Sequence, residues 1–195
     1  MPTYYTIHKP FQVLSQFSKQ EGKQTLKDIY SFPPDVYPVG RLDYDSEGLL
    51  LITNDKALNN KLLNPGFGHE REYWVQVEGS ITTAALQQLE NGVEISVDGK
   101  TYRTRQSKAT LFESEPGVCD RNPPIRFRKN IPTSWIRLVL TEGKNRQVRK
   151  MTAAVGFPTL RLIRYRIAKI DLHDIGPGEY KEWKREHIYQ LLEIS

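Results

Sequence analysis

Residues Gly40 to Asp55 read GRLDYDSEGLLLITND, and a second run, Glu142 to Lys150, reads EGKNRQVRK. The first run sets Asp43, Asp45 and Glu47 within five residues, just after Arg41 and just before Gly48 and the apolar stretch Leu49 to Ile52. Carboxylates crowded this closely lose solvation if they are buried together, so their place is a loop at a strand mouth. There the strand behind fixes an acid's position and a ligand can reach it. Ser46, Glu47 and Gly48 read as residues that shape this loop. The second run carries Lys144, Arg146, Arg149 and Lys150 with Asn145 and Gln147 between them, a donor set suited to phosphate. Alone, the first run reads as a solvated acidic turn; the second run is what gives it a chemical context.

The elements that must position these runs follow from periodicity and caps. Thr3 to His8 reads as a strand entering a turn at Lys9-Pro10, and Thr25 to Tyr30 as a short helix stopped by Phe32-Pro33-Pro34. Val36 to Leu42 and Leu49 to Thr53 form a strand pair around the acidic loop. Asn54 or Asp55 caps a helix running to Leu63, and Thr82 caps Thr83 to Glu90, with Gly92 after its end. Glu72 to Glu78 alternates, with Tyr73, Val75 and Val77 on one face. Further strands are expected at Ser107 to Phe112, Trp135 to Thr141, Thr159 to Tyr165 and Ile167 to Leu172, and a last helix at Glu186 to Glu193. On a helical wheel of Asn145 to Val155, Val148, Met151 and Val155 share one sector while Arg146, Arg149 and Lys150 share the opposite one. Gly156 suits a left-handed cap. Strands and helices without strict alternation indicate an α+β fold with a mixed, largely antiparallel sheet in two packed halves flanked by helices.

Charge separates the chain into two characters. Residues 121–170 hold 13 Lys or Arg against the single acid Glu142, a net +12, while the other 145 residues hold 15 bases and 22 acids, a net −7. That concentration is an electrostatic footprint for a polyanion, with nucleic acid the favoured partner. Within it the proline-rich loop spanning 113–132 brings Arg126, Arg128 and Lys129, and the strand expected at Thr159 to Tyr165 brings Arg161 and Arg164. Mean hydropathy is −0.57, and no apolar run approaches the roughly 18 residues of a membrane span. The N-terminus lacks a basic-then-apolar signal pattern, and the one cysteine, Cys119, forbids an intrachain disulfide; a cytoplasmic protein is expected. The four histidines show no ligand spacing, so no metal is expected, and no phosphate-cradling or dinucleotide glycine motif occurs.

The two runs, in this order, resemble the two strongest motifs of the RsuA-type pseudouridine synthases. Lys9-Pro10 and Arg71-Glu-Tyr-Trp-Val-Gln-Val77 resemble two weaker ones, and the similarity spans about Thr6 to Tyr180. The segment Arg121 to Trp135 is similar to the E-type branch, which acts on large-subunit rRNA, more than to its siblings. The resemblance implies a single catalytic domain over 1–195, built of two intimately packed subdomains. It also implies no room for the N-terminal S4-type module that many relatives carry, because Lys9-Pro10 comes at once. It implies Asp43 as the essential carboxylate, Arg149 as its paired cation and Tyr73 over the target base. Arg41 would wedge into the space an extruded uridine leaves. Lys9, Lys144, Asn145, Arg146, Gln147 and Lys150 join Arg126, Arg128, Lys129, Arg161 and Arg164 as RNA-contact candidates. The implied reaction isomerises a uridine of ribosomal RNA, most of all large-subunit (23S) rRNA or its precursor, with no cofactor and by a monomer.

Two other readings compete. A glycosidase could use Asp43 with Asp45 or Glu47, but its two carboxyl groups must stand about 5–9 Å apart and face each other, which neighbours in one loop rarely do. A non-catalytic RNA-binding module would use the basic and aromatic strands, yet leaves the acidic loop unexplained. A small-subunit rRNA or tRNA target is the remaining alternative. Tyr73, Trp74 and Trp135 also read as strand aromatics packed in a core.

Overall fold

A computed structural model describes residues 1–125 and 131–194. In chain order the first elements are β1 (Tyr4–Lys9), β2 (Val13–Leu14), β3 (Gln24–Thr25), α1 (Leu26–Ile29), β4 (Tyr37–Val39), β5 (Glu47–Thr53) and α2 (Lys56–Leu63). Next come β6 (Arg71–Glu78), α3 (Thr83–Asn91), β7 (Glu94–Val97), β8 (Lys100–Arg103), β9 (Lys108–Leu111) and β10 (Thr133–Leu140). The chain ends with α4 (Gln147–Ala154), β11 (Thr159–Ile167), β12 (Ile170–Asp171), β13 (Tyr180–Glu182) and α5 (Arg185–Leu191). The fold is α+β. Two compact units divide it: residues 1–69 with 163–195, and residues 70–162, with β11 carrying the chain from the second back to the first.

In the first unit, β5 is the central strand. It is buried along its whole length because it pairs antiparallel with β1 and β4 and parallel with the middle of β11. This explains why Leu49-Leu50-Leu51-Ile52 is an unbroken apolar run rather than an alternating one. Leu50 and Ile52 join Tyr5, Ile7, Val13, Leu26, Tyr30, Val36 and Leu42 in one core. Gly48 lies where β11 passes closest: a Cβ there would stand 2.4 Å from the Arg164 carbonyl oxygen, and its φ of +116° is also glycine's region. Asp55 caps α2 by accepting from Ala57 N and Leu58 N, and the same carboxylate accepts the hydroxyls of Tyr4 and Tyr189, tying α2, β1 and α5 together.

In the second unit, β10 pairs antiparallel with β6 and β9, so Tyr73, Val75 and Val77 face the same core as Ile136, Leu138 and Leu140. α3 and α4 close this core with Ala85, Leu89, Val148 and Met151. α4 ends as the sequence suggests: Gly156, at φ +89°, donates to Ala153 O and Phe157 donates to Thr152 O, which satisfies the last carbonyls. β7 and β8 form a hairpin beyond the strands expected from sequence, although Asp98-Gly99, both at positive φ, is its turn signal. The strand expected over Val36 to Leu42 shrinks to Tyr37–Val39, since Gly40 turns left-handed at φ +73° and releases the chain into the acidic loop. Ala168 and Lys169 make a turn inside the last of the expected strands, leaving β11 longer and β12 shorter.

Candidate active site

The Arg-Leu-Asp triplet works as an anchor flanked by two presented side chains. Leu42 is buried in the first unit's core, while Arg41 is exposed and Asp43 half-buried. Leu42's backbone is closed by one residue: the buried Ser15 hydroxyl donates to Leu42 O at 2.8 Å and accepts from Leu42 N at 3.1 Å. Immediately after, Ser46 N donates to Asp43 O at 3.1 Å, forming a tight turn over Tyr44-Asp45, and Gln12 N donates to Tyr44 O at 2.9 Å. Asp43 is therefore held from both sides by backbone, on the loop that leads into β5. A loop at a strand mouth is what the carboxylate crowding required.

Three residues of this region, Glu47, Lys9 and Arg164, lie deeper in the fold than their types suggest. Glu47 does not shape the loop: it is the first residue of β5 and only 3% exposed. Lys9, expected to contact RNA, is wholly buried, and its ammonium donates to Pro10 O and Val13 O, each at 2.8 Å. Burial pushes its pKa down to about 7, against the pull of the Glu47, Asp45 and Asp43 carboxylates, which favour the charged form. Nearby Arg164 pushes it further down. Arg164, also an RNA-contact candidate, is buried too and donates its Nε to Leu49 O at 2.8 Å. The acidic cluster thus has its own buried cations beneath it, which explains how Glu47 stays inside the fold.

In the second unit Tyr73 is 8% exposed and belongs to the apolar core, so its ring is fixed by packing with Val75 and Leu138 on neighbouring strand positions. Arg149 and Lys150 are half-buried on α4, and Lys144, Asn145 and Arg146 are exposed before it. The expected single cationic helix face is not formed. α4 begins at Gln147, and Arg146 is its cap in the left-handed conformation, φ +52°, so Arg146 leaves the helical register of Arg149 and Lys150. The apolar stripe of Val148 and Met151, with Val155 packed beside it, is where the wheel put it.

Gln147 and Arg161, two further RNA-contact candidates, are internal instead. Gln147 is 3% exposed and spends its amide on Lys144 N and Glu142; Arg161 donates to Cys119 O at 2.8 Å and so ties down the 113–125 segment. Arg126, Arg128 and Lys129 lie outside the described residues. Trp135 is buried, as its strand position suggests; Trp74 is half-buried, donating to Glu72 at 2.9 Å with its ring edge-on to Phe112. Among the described residues no cluster of His, Cys, Asp or Glu could hold a metal ion, and no helix is long and apolar enough to cross a membrane.

Residues 3–154 match the family model described as RNA pseudouridylate synthase. The chain is 48% identical over 176 residues to the ribosomal large subunit pseudouridine synthase E of Vibrio parahaemolyticus, covering 90% of this chain and 71% of that one. It is 47% identical over 173 residues to the protein of the same name from Xanthomonas axonopodis pv. citri, covering 88% of each. Its fold superposes on a crystal structure of a pseudouridylate synthase with a TM-score of 0.78 at 21% identity, over 98% of this chain and 74% of that one. Matched by that family model over residues 3–154 and nearly half identical to such relatives over about nine tenths of its length, the chain belongs to the RNA pseudouridylate synthase family and is an isomerase of uridine in RNA.

Proposed function

We propose that this enzyme converts a specific uridine of large-subunit (23S) ribosomal RNA to pseudouridine, in the cytoplasm and as a monomer, using the whole chain as one catalytic domain. The observation that carries the reading is the identity of nearly one half over nine tenths of the chain to relatives named for the ribosomal large subunit. The net +12 over residues 121–170 supports a polyanionic substrate.

The reaction breaks the N1–C1′ bond, turns the uracil, and joins C5 to C1′. The C5 hydrogen leaves as a proton and N1 gains one, so atoms balance without a redox cofactor or nucleotide. By resemblance Asp43 is the essential carboxylate, and its backbone anchoring on both sides suits a group that must not move when RNA arrives. Arg149 is proposed as the cation that keeps it ionised once RNA excludes water. Tyr73, rigid in its core, is proposed to face the turned base. Arg41, exposed beside the Leu42 anchor, is proposed to fill the gap left by the extruded nucleotide, offsetting part of the few kcal/mol that extrusion costs. Lys144, Asn145, Arg146 and Lys150 are proposed phosphate contacts.

Large-subunit rRNA transcribed with tritium at C5 of uridine tests this directly. The purified enzyme should release one equivalent of tritium from that RNA and none from small-subunit rRNA or tRNA. Release from tRNA or small-subunit rRNA alone would replace the target, and free uracil as product would replace the reaction by glycosidic cleavage.

A further inference from the structure

Glu142 is the one acid among the 13 cations of residues 121–170, and it opens the basic run. A lone acid in a phosphate-binding segment should weaken binding if it faces the ligand. It does not face outward: Glu142 is 4% exposed. Its carboxylate accepts the Tyr102 hydroxyl, the Arg105 backbone N–H at 2.9 Å and the Gln147 amide at 2.6 Å, and the Arg105 guanidinium lies 3.9 Å away. The other half of the Gln147 amide accepts from Lys144 N at 2.8 Å, while Gln147 N donates to Lys144 O at 3.1 Å. The Lys144 ammonium in turn sits over the Tyr102 ring, 4.9 Å from its centre. Every residue of this network lies in the second unit.

These contacts join three things that sequence separates: the β7–β8 hairpin through Tyr102, the segment after it through Arg105, and the cationic turn before α4. The turn holds a left-handed Arg146, a conformation that costs about 1 kcal/mol for a residue with a side chain and persists only where surroundings impose it. We propose that Glu142 is a positioning residue for RNA binding: its buried carboxylate, held by Tyr102 and Arg105 and holding Gln147, forms the turn Gly143–Arg146 in its binding shape before RNA arrives. Ordering cost is then met by folding rather than by association. The inference rests on the reading that this basic turn meets RNA phosphate.

The sign of one measurement separates the two roles of this acid. In Glu142→Gln the charge is removed and an amide N–H₂ is brought against the Gln147 or Tyr102 donors. If Glu142 positions the turn, RNA affinity falls about three- to tenfold at every salt concentration, while the log–log salt slope stays at the wild-type value because the same cations still meet phosphate. If Glu142 is only a negative charge inside a positive field, the variant binds RNA more tightly. Binding of a large-subunit rRNA fragment, followed between about 50 and 300 mM salt alongside thermal unfolding, reads both. Tighter or unchanged binding overturns the proposal, as does a flattened slope. Should Glu142→Gln not fold, Tyr102→Phe, which removes one donor and keeps the ring under Lys144, decides by the same criteria with a loss of about two- to threefold expected. A wild type that binds the rRNA fragment no better than an unrelated RNA of equal length, and modifies neither, would instead remove the large-subunit reading.

Discussion

The hydroxyl of Ser15 satisfies both backbone groups of Leu42, donating to its carbonyl and accepting from its N–H across 27 residues of sequence. Because Leu42 lies between Arg41 and Asp43, this one side chain sets where the proposed wedge and the proposed catalytic acid stand.

Ser15→Ala should therefore do more than its size suggests. Two buried backbone groups lose their partner together, at roughly 1–3 kcal/mol each, so a destabilisation of about 2–6 kcal/mol is expected in urea unfolding. At a temperature where the variant is still folded, kcat should fall on the order of tenfold to a hundredfold, since Asp43 loses its register. Wild-type kcat in a folded variant would show that the loop is positioned by its other contacts.

Lys9 gives a pH signature with a definite sign. Its folded-state pKa lies at about 7, well below the ordinary lysine value of 10.5. Between these values the unfolded chain holds a proton that the folded chain has released, so stability rises with pH across that window. Below pH 7 both states are charged and the contribution is flat, with the cost of burying the cation fully present. The unfolding free energy of the wild type minus that of Lys9→Met should thus climb between about pH 7.5 and 9.5, at up to about 1.4 kcal/mol per pH unit. A difference that stays flat or declines over that range would place the Lys9 ammonium in a solvated or strongly paired site.

Lys144→Gln with Arg146→Gln removes two exposed cations from the turn before α4. Each phosphate contact contributes about −0.9 to the log–log salt slope on duplex and about −0.7 on single strands, so the slope should flatten by roughly 1.4–1.8. An unchanged slope would mean that the turn does not meet the RNA backbone.

Local signals are readable where physics is local. Asp55 and Thr82 cap their helices as the sequence indicates, Gly156 ends α4, and the two strands around the acidic loop pair antiparallel. The β7–β8 hairpin is equally local, and Asp98-Gly99 is its sign. What sequence does not reveal is which charged residues are inside. Lys9, Glu47, Arg161, Arg164 and Gln147 are polar by type yet buried, and two of them are held by partners far along the chain: Arg161 meets Cys119 across 42 residues and Arg164 meets Leu49 across 115. Composition therefore locates the basic segment and the acidic loop, while four of the RNA-contact candidates, Lys9, Gln147, Arg161 and Arg164, lie buried. The left-handed Arg146 escapes for a related reason, since a helical wheel assumes the helix has already begun.

The most direct test is a pseudouridine map of 23S rRNA from cells with the gene, without it, and without it but supplied with the Asp43→Asn variant. One site should lose its pseudouridine on deletion, regain it with the wild-type gene, and stay unmodified with Asp43→Asn although that variant is folded and binds RNA. An identical map with and without the gene, or modification by Asp43→Asn within tenfold of the wild-type rate, about 1.4 kcal/mol in barrier, would contradict this expectation.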